Sequence, residues 1–193
     1  MQTSRPRPAA RVALVDDSGT PTGLAPRASG RGRDTPLRPA FSCYLFRSDG
    51  KVLLTRRSLT RRTWPGVWTN SFCGHPRAGE GMPAAVVRRA RRALGVSVHY
   101  VTCALPSFRY RATTASGAQQ NGLCPVYLAW TTTEPCPHPQ EVMEMRWVEP
   151  EELGRAVAAT PWALSPWMVA QVAELAEVDA GALAAADATE LAG

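Results

Sequence analysis

Between Ala84 and Leu94 the apolar residues Ala85, Val86, Ala90, Ala93 and Leu94 recur at helical spacing, with arginines among the positions between them. The pattern predicts an amphipathic helix, opened by Pro83 in its first turn and stopped by Gly95. Elsewhere, runs rich in β-branched and aromatic residues predict strands over 12–15, 40–47, 51–55, 98–108, 123–131 and 143–148. Ser48-Asp49-Gly50 makes a hairpin of the second and third, and the run from Ser116 to Gly122 is the turn between the fourth and fifth. Glu149-Pro150-Glu151-Glu152 opens a short helix with acids at its favourable end. Ser165-Pro166 reads as the cap and first turn of a last helix reaching about Ala176. The stretch 20–39 holds four prolines and four arginines and predicts a long loop.

From Trp64 to Pro83 the pattern is neither helical nor strictly alternating. Asn70-Ser71-Phe72 is short and strand-like, and Cys73-Gly74-His75-Pro76 reads as a tight turn in which Gly74 takes unusual backbone angles. This is the layout of a loop that presents side chains into a cavity and then runs into the helix. Strands interleaved with helices predict an α+β fold, a mixed β-sheet sandwiched between α-helices.

Composition narrows the picture. A chain of 193 residues that is 45% hydrophobic supports one substantial core, read as a domain over 11–178 between a flexible tail (1–10) and an alanine-rich C-terminal tail (179–193). No run approaches 18 apolar residues, so no membrane span is expected. The basic N-terminus lacks the apolar centre of a secretory signal, and five cysteines without paired spacing read as reduced thiols, which together predict a cytoplasmic protein. The net charge is +6, and Lys51 is the only lysine, so the excess is arginine. Guanidinium forks suit phosphate oxygens, although arginines on a solvated surface explain the same count. No nucleic-acid module is visible, and the oligomeric state is left open.

Gly74, Glu80 and the helix with its Arg88-Arg89-Ala90-Arg91-Arg92-Ala93-Leu94-Gly95-Val96 run fall on the frame of the Nudix box. Where that box carries three glutamates, this chain has Arg89, Arg92 and Ala93. Those carboxylates hold magnesium in Nudix hydrolases, a hard cation that takes oxygen ligands, so hydrolysis of diphosphates by this helix is not expected. A second likeness spans most of the chain, from about Val12 to Gln171. The segments RRSLTRRTWPGVWTNSFCGHP, FRYRATTASG and ATPWALSPWM resemble the type I isopentenyl-diphosphate isomerase family, which uses the Nudix scaffold.

The resemblance implies a Nudix-like fold and an isoprenoid substrate gripped through its diphosphate. Arg27, Arg57, Arg61 and Arg89 match the family's phosphate-binding positions, where charge-assisted bonds neutralise the anion. Trp167 matches the tryptophan that faces the double bond, and Tyr110 the tyrosine beside the reacting groups. Cys73 matches the cysteine that exchanges a proton with the alkene. The opposing glutamate should lie in an E-N-E motif, which reads here Gln120-Asn121-Gly122. Of three family histidines that hold a divalent metal, only His75 is present, and the other two positions carry Arg31 and Arg38.

These departures predict a pocket without metal or other cofactor, in which guanidiniums supply the positive charge that an ion supplies elsewhere. Cys73, Tyr110 and His75 are its proton-transfer candidates; Arg27, Arg31, Arg38, Arg57, Arg61, Arg89, Trp167 and Gln120 its substrate contacts. Gly122 in place of a glutamate is expected to enlarge the chamber. The reading that follows is proton-transfer or carbocation chemistry, isomerisation or cyclisation, on a prenyl diphosphate. The alternatives are the ordinary interconversion of isopentenyl and dimethylallyl diphosphates, and a non-catalytic prenyl-diphosphate binder.

Overall fold

A computed structural model describes the backbone of residues 11–26, 35–115, 117 and 119–190, and the side chains of 13–25, 35–115, 117 and 119–178. Its centre is a mixed sheet ordered β12-β5-β4-β11-β8, formed by β4 (Phe41–Phe46), β5 (Val52–Arg57), β8 (His99–Leu105), β11 (Val126–Trp130) and β12 (Val142–Val148). The pair β4–β11 is parallel and the others are antiparallel. Residue alternation sends each strand's side chains to two faces. Phe41, Cys43, Leu45, Leu53, Tyr127 and Ala129 pack with α1 (Met82–Leu94) on one face. Tyr44, Val52, Leu54 and Val126 pack on the other with α2 (Pro150–Ala159) and α3 (Pro166–Glu190), which contribute Leu153, Trp167 and Met168. This is the expected α+β sandwich.

The chemistry-bearing loop owes its place to a split in the sheet. β4 and β5 pair only at Phe46↔Val52, next to the predicted Ser48-Asp49-Gly50 turn. Beyond it they diverge, and the segment 68–74 enters the gap: β6 (Trp68–Thr69) pairs with β5, and β7 (Phe72–Gly74) with β4. Ser71 closes the seam between them, its hydroxyl donating to Leu53 O (2.6 Å) and accepting from Leu45 N (2.7 Å). Thr55 Oγ1 lies 3.0 Å and 3.1 Å from the carbonyls of Asn70 and Ser71. Every one of these polar groups is buried and bonded, as burial requires.

Two smaller sheets flank the centre. β1 (Arg11–Val15) pairs with β2 (Pro21–Pro26), and β3 (Arg38–Pro39) lies beside β10 (Gln119–Leu123), which pairs with β9 (Arg109–Thr113). The expected loop over 20–39 therefore contains two strand segments, because the backbone of 21–26 finds a partner in β1. The expected turn 116–122 is shorter than predicted, and Gln119 to Gly122 is strand, paired to Thr113–Tyr110. The single strand expected over 98–108 is β8, which stops at Leu105; β9 starts only at Arg109 and joins a different sheet.

The helix pattern is matched closely: the buried residues of α1 are Ala85, Val86, Ala90, Ala93 and Leu94, and Gly95 ends it at φ 69°. The last helix is longer than expected, running to Glu190 rather than stopping near Ala176. Gly74 corrects the turn reading. It is a strand residue, and its need for glycine is spatial: a β-carbon there would meet the Phe41 ring at 2.6 Å. No helix among the described residues is long and apolar enough to cross a membrane.

Candidate active site

β7 delivers Cys73 to the face covered by α3, opposite Ser42 of β4. Its thiol donates to Asn70 Oδ1 at 3.2 Å. The Asn70 amide spends both hydrogens on backbone carbonyls, Cys43 O at 3.0 Å and Phe72 O at 2.9 Å, so only its oxygen faces the thiol. The same oxygen accepts from the indole nitrogen of buried Trp167 at 3.0 Å and from Thr69 Oγ1 at 2.9 Å. One fully buried amide thereby fixes the thiol and the indole relative to each other. Sequence reading placed Asn70 on a strand and gave it no role. Its position between Cys73 and Trp167 exists only through contacts 97 residues apart in the chain.

Trp167 lies among aromatic and cationic neighbours. Trp64 meets it edge-on at 5.2 Å between centroids, Tyr110 is tilted against it at 5.8 Å, and the Arg57 guanidinium carbon is 5.4 Å from its ring centre. Arg57 is held by its own loop, donating through Nε to the carbonyls of Thr63 (3.2 Å) and Trp64 (3.0 Å) and through a terminal nitrogen to Thr63 O (2.8 Å). Those bonds pin Trp64 at φ 45°, a left-handed conformation that costs a bulky residue about 1–3 kcal/mol. Burial lowers the Arg57 pKa from its usual range, with nearby Arg61 and Arg89 pushing in the same direction.

Tyr110 donates to Gln120 Oε1 at 2.6 Å, and Gln120 Nε2 reaches Thr63 Oγ1 at 3.3 Å. Burial pushes the Tyr110 phenol far above its ordinary pKa, so it works as a neutral hydroxyl. Gly122 pairs with Tyr110 across β9–β10 and with Arg38 across β3–β10, so the three positions form one row over the small sheet. The expectation of an enlarged chamber at Gly122 is corrected here. A β-carbon at 122 would lie 3.1 Å from the Tyr110 ring, which takes up the space beside the glycine.

The remaining predicted residues that the structure describes are spread around this centre. Arg89 donates to Cys73 O at 2.8 Å and forms a two-pronged ion pair with Glu141, whose other neighbour is Arg61 at 4.0 Å. Burial raises the Glu141 pKa, but the bond to Arg89 and the charges of Arg89 and Arg61 outweigh it, and the carboxyl is held below its usual range. Two of the four expected phosphate-gripping arginines thus already share an internal counter-ion that sequence reading missed. His75 is exposed, and its Nδ1 lies 2.9 Å from Pro39 O on the neighbouring chain segment. Arg38 is half-buried on β3, while Arg27 and Arg31 lie outside the described residues.

The NUDIX domain family matches residues 36–168. A protein named Isopentenyl-diphosphate Delta-isomerase from Agromyces mediolanus is 54% identical over 160 residues, covering 83% of this chain and 78% of that protein. One of the same name from Brevibacterium linens is 49% identical over 164 residues, covering 85% and 90%. This chain belongs to the isopentenyl-diphosphate Delta-isomerase family. A crystal structure of a Deinococcus radiodurans protein superposes with a TM-score of 0.66 at 21% identity, covering 86% of this chain and 99% of that one, which shows the shared fold.

Isomerases of this family are expected to hold a divalent metal on three histidines and two glutamates, and the residues present here do not fit one. Among the described residues no three histidine, cysteine or carboxylate side chains converge. The family's glutamate positions carry Gln120, whose oxygen is taken by Tyr110, and Gly122, which has no side chain to offer. The position of the Nudix-helix magnesium ligand carries Ala93, buried in the opposite core. A divalent cation needs several neutral imidazoles or carboxylates, and among the described residues at those positions only His75 is one.

Proposed function

We propose that this chain moves protons onto and off a carbon–carbon double bond of an isoprenoid diphosphate, the isomerase chemistry its relatives are named for. The observation that carries the reading is the shared acceptor, Asn70 Oδ1, which fixes the Cys73 thiol and the Trp167 ring against each other. The thiol proton adds to the terminal alkene carbon, and the π pair becomes the new C–H bond. The adjacent carbon becomes a tertiary cation, which an indole face stabilises by about 0.5–2 kcal/mol. The thiolate left on Cys73 takes a proton from the neighbouring carbon, whose C–H electron pair re-forms the double bond one position along, and the thiol is restored. The product has the atoms of the substrate.

The interconversion of isopentenyl and dimethylallyl diphosphates is the first reading, because the likeness to proteins of that name covers more than four-fifths of the chain. We also propose that no divalent metal takes part and that Arg57, together with Arg27, Arg31 and Arg38, meets the diphosphate. A second reading, ring closure of a longer prenyl chain, is favoured by one feature: Gly122 places no carboxylate where the family's second proton-transfer group stands. A cation left without that base lives until an internal alkene attacks it.

The purified protein is incubated with C5, C10, C15 and C20 prenyl diphosphates, with and without a chelator, and the products are separated by gas chromatography. Interconversion of the C5 isomers that persists with chelator is the expected result. A cyclic product from a longer diphosphate selects the second reading. Loss of turnover on chelation overturns metal independence, and binding without any turnover overturns the enzyme assignment.

A further inference from the structure

Behind Cys73 lies a chain of buried polar side chains that the reaction above does not use. Tyr44 Oη donates to Gln171 Oε1 at 3.1 Å, and Gln171 Nε2 donates to Ser42 Oγ at 2.8 Å. All three residues are buried, Ser42 and Gln171 fully so. Because Gln171 fills an acceptor position of Ser42, the hydroxyl's own hydrogen is left to point elsewhere. Its two neighbours are sulfurs, Cys73 Sγ at 3.4 Å and Cys124 Sγ at 3.5 Å. We propose that Ser42 is a positioning residue which turns its hydroxyl onto Cys73 once that thiol has given up its proton, and that Gln171 and Tyr44 aim it.

The inference rests on the reading of Cys73 as proton donor, and the direction of each bond supports it. Asn70 presents only an oxygen to Cys73, so it favours the protonated thiol and offers the thiolate nothing. Ser42 offers a hydrogen and so favours the thiolate. The sulfur is thereby placed between an acceptor that holds its proton and a donor that compensates its loss. Cys124 does not compete for the charge, since burial pushes its thiol far upward and keeps it neutral. The other charged or titratable groups near Cys73 are Cys43 and Tyr44 on β4, Arg57 on β5, Tyr110 on β9 and Arg89 on α1. Burial holds Cys43 and Tyr44 neutral as well.

The test uses the full chain without substrate, so that it does not depend on the reaction assigned. The rate at which iodoacetamide alkylates Cys73 at neutral pH is followed by peptide mass spectrometry in wild type, Ser42→Ala, Ser42→Thr and Tyr44→Phe. A lost hydrogen bond to an anion predicts alkylation slowed by about tenfold or more in Ser42→Ala. Recovery is expected in Ser42→Thr, with a smaller slowing in Tyr44→Phe, which keeps the ring but releases Gln171. On a prenyl diphosphate that the wild type turns over, Ser42→Ala lowers kcat by a similar factor and leaves KM in place. Wild-type alkylation rates in folded Ser42→Ala and Tyr44→Phe overturn the proposal, and Tyr44→Phe decides alone if Ser42→Ala does not fold. Slowed alkylation in a protein that turns over no prenyl diphosphate keeps the Ser42–Cys73 link and removes the isomerase reading.

Discussion

The two faces of the central sheet are built from the same strands and packed by different rules. Toward α1, β4 sends Phe41, Cys43 and Leu45 into a cluster with Val86, Ala90 and Leu94 that depends on shape alone. Toward α3, the same strand sends Ser42 and Tyr44, which meet Gln171, Cys73 and Cys124 through hydrogen bonds. Burying a hydroxyl or amide costs roughly 1–3 kcal/mol unless it is bonded, so the second face depends on complete pairing. A strand only six residues long thus separates fold from chemistry by alternation.

Three experiments would break or sharpen that contrast. The largest effect is expected on the α3 face, where Cys73→Ala removes the proposed proton donor. Turnover of the C5 diphosphates should fall by about 10²–10⁴-fold, as for loss of a general acid, while the thermal melt moves little. A melt that collapses would place Cys73 with the structural face instead. Next, Leu94→Ala on the α1 face should destabilise by about 2–5 kcal/mol in denaturant unfolding, with kcat per folded molecule unchanged. A change in kcat without loss of stability would show that the faces are not separate.

The smallest effect belongs to the rim. Glu80 is held at about 2 by its bond to Arg88, then by the Arg77 backbone amide, below the ordinary value of 4.5. A carboxyl lowered by folding stabilises above its unfolded pKa and loses that contribution as pH falls toward the folded one. Glu80→Gln should therefore lower the melting temperature slightly at pH 7, and the two proteins should converge as the pH approaches 2. A difference that persists at pH 2 would assign the effect to packing.

Much of the fold was legible because it follows from period and punctuation. The α1 stripe and its Gly95 stop were read residue by residue, since helical spacing and a glycine terminator are local properties. The segment 21–26 and the strand at Gln119–Leu123 were not, because proline- and glutamine-rich runs carry no strand pattern and pair only when a partner strand is supplied. At the site, Cys73, Tyr110, Gln120, Arg57 and Trp167 were all singled out from motifs; Tyr110 adjoins Gln120 and Trp167, Arg57 lies over Trp167, and Cys73 is joined to Trp167 through Asn70. Arg61 and Arg89 were read as phosphate ligands, and their pairing with Glu141 lay 80 and 52 residues away, where no motif pointed.

Taken alone, the amino-acid order determined the family and the helix and strand character of its periodic segments, and it nominated the candidate reactive side chains, because each is set by neighbours within a few residues or by motifs in fixed order. Tertiary structure decided which way those side chains are tied. It alone joined Asn70 to both Cys73 and Trp167, filled the space beside Gly122 with Tyr110 and placed Ser42 against the Cys73 sulfur. The reason is physical: a hydrogen bond has a direction and a reach of about 3 Å, and only the packed chain brings such distant groups within it.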